Sequence, residues 1–404
     1  MDAAEVAAIA RAIARAPLAA FDLEWLSADR LVPKLALVQV GWVAEQHQLS
    51  DAPEREIVAA ILADTEVRLV DPLAVDAAPI ARALAAHPCV IAHAPRQDLA
   101  LLAQRFGVEL PGLVDTQLMA AFAGLGDQIG YAALANELCG TELAKDQQWT
   151  AWDRRPLTAA QLAYAAADVK YLPALYARLA RRLGEARVAW VRAETAEIGA
   201  AALAAVRVTP ETAWRELSGT RGLDAASLGV VIALAAWRQR LAIEIDRPLG
   251  QVLNDKVLLD LARHRPASAA GVRDAKGISP IAKTRADDVT AVIAAAPLAP
   301  DGAVRAAGRP PSARAQRWAE LLVAIAHAAA DAAGLAPRLL ATKADAEDFA
   351  RTVDERGLAA ASELPALATW RRELLGEVWR GWLAGETAIV GDPASPHGVR
   401  IVPR

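Results

Sequence analysis

Apolar positions in the first half of the chain follow two alternating rhythms: short continuous runs, and a spacing of three to four. FDLEWL (21–26) and LALVQVGW (35–42) are short runs rich in β-branched and aromatic residues, as strands are. VRLVDPL (67–73) is a third, stopped by Pro72, and CVIAHA (89–94) and GLVDTQ (112–117) continue the series. Between the second and third runs, EREIVAAILADT places Ile57, Val58, Ile61 and Leu62 on one helical face. DLALLAQRFG (98–107) reads as a helix closed by Gly107. The stretch LTAAQLAYAAADVKYLPALYARLARRLG (157–184) reads as helix, capped by Thr158, ended by Gly184 and kinked or divided by Pro173. Strands alternating with helices predict an α/β domain.

After AALAAVRVTPET no strand signal recurs. Residues 213–295 read as short helices with turns at SGTRGLD, DRPLGQ and HRPAS. APDGAVRAAGRPPSA (299–313) has the Pro/Gly content of a linker. Helical periodicity resumes at about 314, and the closing GDPASPHGVRIVPR has the composition of a loosely ordered tail. The expected organisation is 1–206, 207–298, a linker at 299–313, 314–390 and a tail at 391–404.

Composition narrows the class. The chain has 404 residues, 54% hydrophobic and 23% charged, enough for two or three packed domains and unlike a disordered chain. Its two cysteines, Cys89 and Cys139, each lie in an apolar run, against a disulfide framework or a cysteine zinc site and in favour of reduced core thiols. Asp2, Glu5, Arg11 and Arg15 interrupt the N-terminal apolar pattern, so it reads as an amphipathic helix, not a signal or a span. The expectation is a cytoplasmic protein with no membrane partner. The net charge of −4 does not advertise nucleic-acid binding. Its distribution changes that: acids dominate the first half, and basic residues outnumber acids between 207 and 300. An acidic catalytic domain suits a polyanion only if metal ions neutralise its carboxylates.

Asp22 and Glu24 stand two apart in a strand, so both leave one face. They are either solvated acids of an edge strand or partners of a cation. Tyr164 and Asp168 stand four apart in a helix, among alanines that leave room for a ligand or for tight packing. Asp98 follows the fourth run, as helix cap or as ligand. Together Asp22, Glu24, Asp98 and Asp168 offer hard oxygen donors and no soft ones, a set for Mg²⁺ or Mn²⁺. His93 reads as a structural residue at a strand end and Asp115 as a helix cap. Trp149 and Trp152 are candidates for stacking on bases or for core packing, and Lys145 and Arg155 for phosphate contacts. In the middle segment Arg215, Arg221, Arg238, Arg240 and Lys256 are candidates for a basic face, diluted by Glu216, Glu244 and Asp255.

FDLEWL, AHAPRQDL and YAAADVKYL resemble, in order and spacing, the three motifs of the ribonuclease D family, in the tyrosine-containing branch of the DEDD exonuclease superfamily. VDTQ and ELAKDQQWTAWDRRPLT are similar to the same family. The segment AWRELSGTRGLDAASLGVVIALAAWRQRLAIEIDRPLGQVLNDKVLLDLA resembles its helical nucleic-acid-binding HRDC domain, and the C-terminal segment a weaker second copy. The resemblance implies an α/β ribonuclease H-like exonuclease domain with a mixed sheet, followed by two all-α HRDC-type domains. It further implies two divalent ions, Mg²⁺ or Mn²⁺, held by Asp22, Glu24, Asp98 and Asp168, with Tyr164 positioning the attacking water. The implied reaction is 3′→5′ hydrolysis of RNA to nucleoside 5′-monophosphates, on tRNA precursors, by a monomer. A DNA 3′→5′ exonuclease and a non-catalytic RNA-binding scaffold are the alternatives. Residues 45–66 depart from the family pattern by an extra helix that could cover a sheet edge, touch substrate or meet another chain. On this organisation, removing 207–404 leaves metal-dependent chemistry and weakens binding to structured RNA.

Overall fold

The computed structural model describes residues 1–404 apart from 28, 46–52, 145–149, 308–310 and 369. Two compact units result. One comprises residues 1–24, 35–202 and 311–404, the other 25–34 and 203–310.

The first unit is built on a sheet of β1 (Leu18–Leu26), β2 (Lys34–Val43), β3 (Thr65–Val70), β4 (Val90–Ala92) and β5 (Leu113–Asp115). All five sequence-predicted strands are present. Their order is β3-β2-β1-β4-β5, with β1, β4 and β5 parallel and β2 and β3 antiparallel, so the sheet is mixed. β2, β4 and β5 are buried along nearly their whole length, which is why they read as continuous runs rather than as alternation. Helices α1 (Ala3–Arg15), α2 (Glu54–Asp64), α3 (Ala78–Ala86), α4 (Arg96–Phe106), α5 (Thr116–Phe122), α6 (Tyr131–Cys139), α7 (Ala159–Lys170) and α8 (Leu172–Val206) surround it. The start of α1 is fixed by a capping box between Asp2 and Glu5. A second box, Thr158 with Gln161, starts α7. The break between α7 and α8 falls at Tyr171, two residues before Pro173, and Gly184 interrupts α8 with a left-handed φ of 71°. Gly41 of β2 lets α7 come close: a Cβ there would lie 3.3 Å from the Val169 carbonyl oxygen.

The extra helix between the second and third strands is α2. Ile57, Val58 and Ile61 pack on Val43 and Ala174, so it covers the end of β2 and the start of α8. Arg178 ties it down through Glu54.

Residues 311–404 share the core of the exonuclease sheet. The helix Ala313–Ala333 and the helix Lys343–Arg356 contribute Leu322, Ile325 and Phe349 to one cluster with Phe122, Leu179 and Val191. Trp370 stacks on Trp190 at 5.3 Å between ring centroids, and its Nε1 donates to buried Glu194 at 2.9 Å. Arg371 pairs with the same carboxylate. Two expectations need correction here. Strands do recur after residue 200, and the tail is not loose: β6 (Thr387–Gly391) and β7 (Val399–Pro403) pair antiparallel. Their β-branched residues lie between Gly- and Pro-rich flanks, which masked the signal.

The second unit is helical, centred on α9 (Ala225–Ile245). Its core gathers Trp214, Leu228, Leu234, Leu258 and Val289. Part of the expected linker belongs to this unit: Ala299 is buried there and donates its N–H to the Ala225 carbonyl, and Asp301–Ala307 is helical.

Candidate active site

Period-two geometry puts Asp22 and Glu24 on one face of β1, and the close seat of α7 on β2 and β3 brings Asp168 to them. One carboxylate oxygen from each of the three lies within 4.8 Å of the others. Asp98 faces the same group. It is the third residue of α4, 5% exposed, and its charge bears on Glu24 as that of Asp22 bears on it. The capping alternative for Asp98 is ruled out, because Pro95 occupies the cap and Asp98 Oδ1 is buried with no hydrogen-bond partner. The turn before α4 is strained: Ala94 takes φ 52°, held by its N–H donating to Asp115 Oδ1 at 2.9 Å.

Burial, and after it mutual repulsion, sets the electrostatics. Burial lifts Asp22 to about 7, from 3.8. Glu24 rises to about 9, first by burial and then by the charges of Asp22, Asp168 and Asp98. Burial and then Asp22 lift Asp168 to about 8. The same causes hold Asp98 well above the usual range. Such a cluster without positive charge is unfavourable, and a divalent cation is the partner its donors fit: all are hard oxygens, and Asp98 Oδ1 is already stripped of water and hydrogen bonds.

Tyr164 stands one turn before Asp168. Burial, then the charges of Asp168, Glu24 and Asp22, push its phenol far above the usual range, so it is an O–H donor at neutral pH. Its ring lies 6.1 Å from that of Trp152. Trp152 is 2% exposed, so of its two readings the structure gives core packing, behind Tyr164, and not base stacking. Arg155 donates to both oxygens of Asp71 at 2.6 Å and to the Trp152 and Ala36 carbonyls, at the surface of the domain. Lys145 and Trp149 lie outside the described residues.

His93 and Asp115 are structural. The imidazole lies between Thr116 Oγ1 at 2.9 Å and the Ile129 carbonyl at 3.0 Å, and burial lowers its pKa to about 4. Asp115 caps α5 through the Gln117 N–H. Cys89 and Cys139 are free thiols. In the second unit, Arg238 is buried and donates to Asp255 and the Leu253 carbonyl, so it drops out of the expected basic face.

Two residues of the site escaped the sequence reading. Gln39, fully buried on β2, donates to Glu24 Oε1 at 3.5 Å while its own Oε1 has no partner. Tyr131 of α6 donates to the Ala167 carbonyl at 2.7 Å, immediately before Asp168, and the Asp168 and Asp22 charges add to the burial that raises its phenol. The only signal for Gln39 is a lone amide in an apolar strand, and for Tyr131 an aromatic at a helix start.

Residues 1–184 match the 3′-5′ exonuclease family and residues 227–293 the HRDC domain. Ribonuclease D of Acidiphilium cryptum is 35% identical over 379 residues, 92% of this chain and 89% of that protein. The chain belongs to the ribonuclease D family. A ribonuclease D of Jannaschia is 31% identical over 406 residues, spanning 98% of this chain and 97% of its own. The crystal structure of Escherichia coli RNase D, described as an exoribonuclease involved in structured RNA processing, superposes with a TM-score of 0.76 at 25% identity, covering 95% of this chain and 97% of that one. Ribonuclease D is a 3′→5′ exoribonuclease, and its fold here is an exonuclease domain with a mixed sheet, an HRDC domain and a helical C-terminal region.

Proposed function

We propose that Asp22, Glu24, Asp98 and Asp168 hold two divalent ions, Mg²⁺ or Mn²⁺, and that Tyr164 positions water for attack at the 3′-terminal phosphodiester of RNA. The observation that carries this reading is the convergence of half-buried carboxylates from β1 and α7 within 4.8 Å, whose mutual repulsion a bound cation would relieve. Such ions, when bound, stabilise charge on the phosphodiester oxygens and lower the pKa of water. Tyr164, kept protonated by burial and its acidic neighbours, orients that water through its hydroxyl. Gln39 and Tyr131 steady Glu24 and the Asp168 turn from behind. Hydrolysis releases nucleoside 5′-monophosphates.

The substrate class is structured RNA with a free 3′ end, tRNA precursors in particular. The described role of the Escherichia coli relative supports this. We place the enzyme in the cytoplasm as a monomer. Its domains are taken as an exonuclease domain over 1–206 and an HRDC domain from 207 to about 310, with residues 311–404 packed into the exonuclease core. Residues 314–390 are read as a second HRDC-type module, on the strength of the helices Ala313–Ala333, Lys343–Arg356 and Glu377–Ala384.

The test is 3′ trimming of a 5′-labelled tRNA with an extended 3′ end. Wild-type protein with Mg²⁺ or Mn²⁺ is expected to give a ladder shortening from that end. EDTA and Asp22→Asn each abolish it. An Asp22→Asn protein that trims at the wild-type rate would remove these carboxylates from the reaction. Persistent RNA binding without trimming by wild type would turn the reading to the scaffold.

A further inference from the structure

The C-terminal helical region carries a group of metal-ligating side chains that the exonuclease reaction does not use. His327 and Asp331 stand four apart on the helix Ala313–Ala333 and so share a face. His397, on the turn joining β6 to β7, comes over that face. The two imidazole rings lie 4.8 Å apart at 80°. His397 Nδ1 stands 3.5 Å from Asp331 Oδ2, and that oxygen is buried without a hydrogen bond.

We propose that His327, Asp331 and His397 form a second metal site that takes a zinc-class divalent ion and pins the β6–β7 hairpin to the helix beneath it. The donor set differs in kind from the acidic cluster: two imidazoles and one carboxylate suit Zn²⁺ and its borderline neighbours, where four carboxylates suit Mg²⁺ or Mn²⁺. His397 and Asp331 already stand at donor spacing, whereas with the rings as they lie His327 does not complete a set of three donor atoms within 4.8 Å, so the ion must draw that ring in. With bonds of about 2.05 Å at a tetrahedral ion, two donor atoms lie about 3.3 Å apart and the centroids of two ligating imidazoles about 5 Å apart. The Nδ1–Oδ2 separation of 3.5 Å and the ring separation of 4.8 Å lie close to both. A distance of 3.5 Å is long for a charge-assisted hydrogen bond. Bringing a nitrogen of each ring onto one ion takes rotation about χ2, a broad torsion for histidine. Three protein ligands leave a fourth position to water.

The site is tested on the full chain in excess Mg²⁺, which occupies the acidic cluster and competes poorly for imidazole. After equilibration with Zn²⁺, wild type is expected to hold one more zinc per chain than His327→Ala or His397→Ala. Co²⁺ in place of Zn²⁺ should give tetrahedral visible absorption in wild type and none in either variant. Both variants should trim RNA with Mg²⁺ at the wild-type rate. His397 sits on an exposed turn, so His397→Ala decides the matter even if the helix variant folds poorly. Equal zinc content in wild type and His397→Ala, with no cobalt absorption, overturns the proposal and leaves His397 and Asp331 as an ion pair only.

Discussion

Asp22, Glu24 and Asp168 hold protons far more tightly than free carboxyls, and this links stability to pH. Their ordinary values of 3.8, 4.5 and 3.8 rise in the fold to about 7, 9 and 8, with burial as the first cause. The folded state therefore binds more protons than the unfolded one between about pH 4 and pH 9. Their contribution to stability is full below the unfolded values and is lost as pH rises through the folded ones. The metal-free protein should melt at lower temperature at about pH 9 than at about pH 6. Glu24→Gln should flatten that slope, and Mg²⁺ or Mn²⁺ should raise melting most at the alkaline end. A melting temperature that climbs with pH in the metal-free protein, equally in Glu24→Gln, would contradict the clustering. Asp22 and Glu24 were legible because period two is strict in a strand, and Tyr164 and Asp168 because period four is strict in a helix. Asp98 was ambiguous, since an acid in a first helical turn looks the same as cap or as ligand. Gln39 was invisible because its meaning depends on the neighbouring strand, which no local pattern names.

At the scale of elements, the site depends on how closely α7 lies on the sheet. Gly41 sets that distance, with the Val169 backbone oxygen 3.3 Å and the Val169 Cβ 3.6 Å from where a Cβ would stand. Gly41→Ala must push α7 outward by a few tenths of an ångström and carry Asp168 away from Asp22 and Glu24. Overpacking of this kind costs about 1–3 kcal/mol. The expected result is a lower melting temperature and a weaker response of melting to Mn²⁺ than in wild type. An unchanged Mn²⁺ response would mean that Asp168 is placed by other contacts. The strands and helices of the first half were readable because each carries its own boundary chemistry: Pro72, Thr158, Gly107 and Gly184. The hairpin of β6 and β7 was not, because two short strands between glycines and prolines resemble a tail until their pairing is known.

For the whole molecule, residues 311–404 complete the exonuclease core. Trp370, Arg371 and Phe349 pack or bond with Glu194, Trp190 and the cluster around Phe122. The expectation that removing 207–404 leaves the chemistry intact is therefore corrected: such a truncation strips α8 of its covering. A chain ending at residue 310 should be insoluble or expose apolar surface to a dye. Glu194→Ala, which leaves the Arg371 charge and the Trp370 N–H unpaired, should cost about 3–5 kcal/mol in denaturant unfolding. A soluble, active truncation would show that the covering is dispensable. Linear sequence suggested one domain after another because helical periodicity tells which face is apolar but not which element will lie against it.

That arrangement bears on how the enzyme is made. Residues 35–202 and 311–404 of the first unit are separated along the chain by residues 203–310 of the second. On a ribosome adding roughly 5–20 residues per second, tens of seconds separate the making of α8 from that of Trp370. Throughout that interval the nascent sheet has its acidic cluster in sequence but an open apolar flank. The exonuclease core is thus finished only once residues 311–404 have followed the helical unit out of the ribosome, and until then α8 keeps an open apolar face.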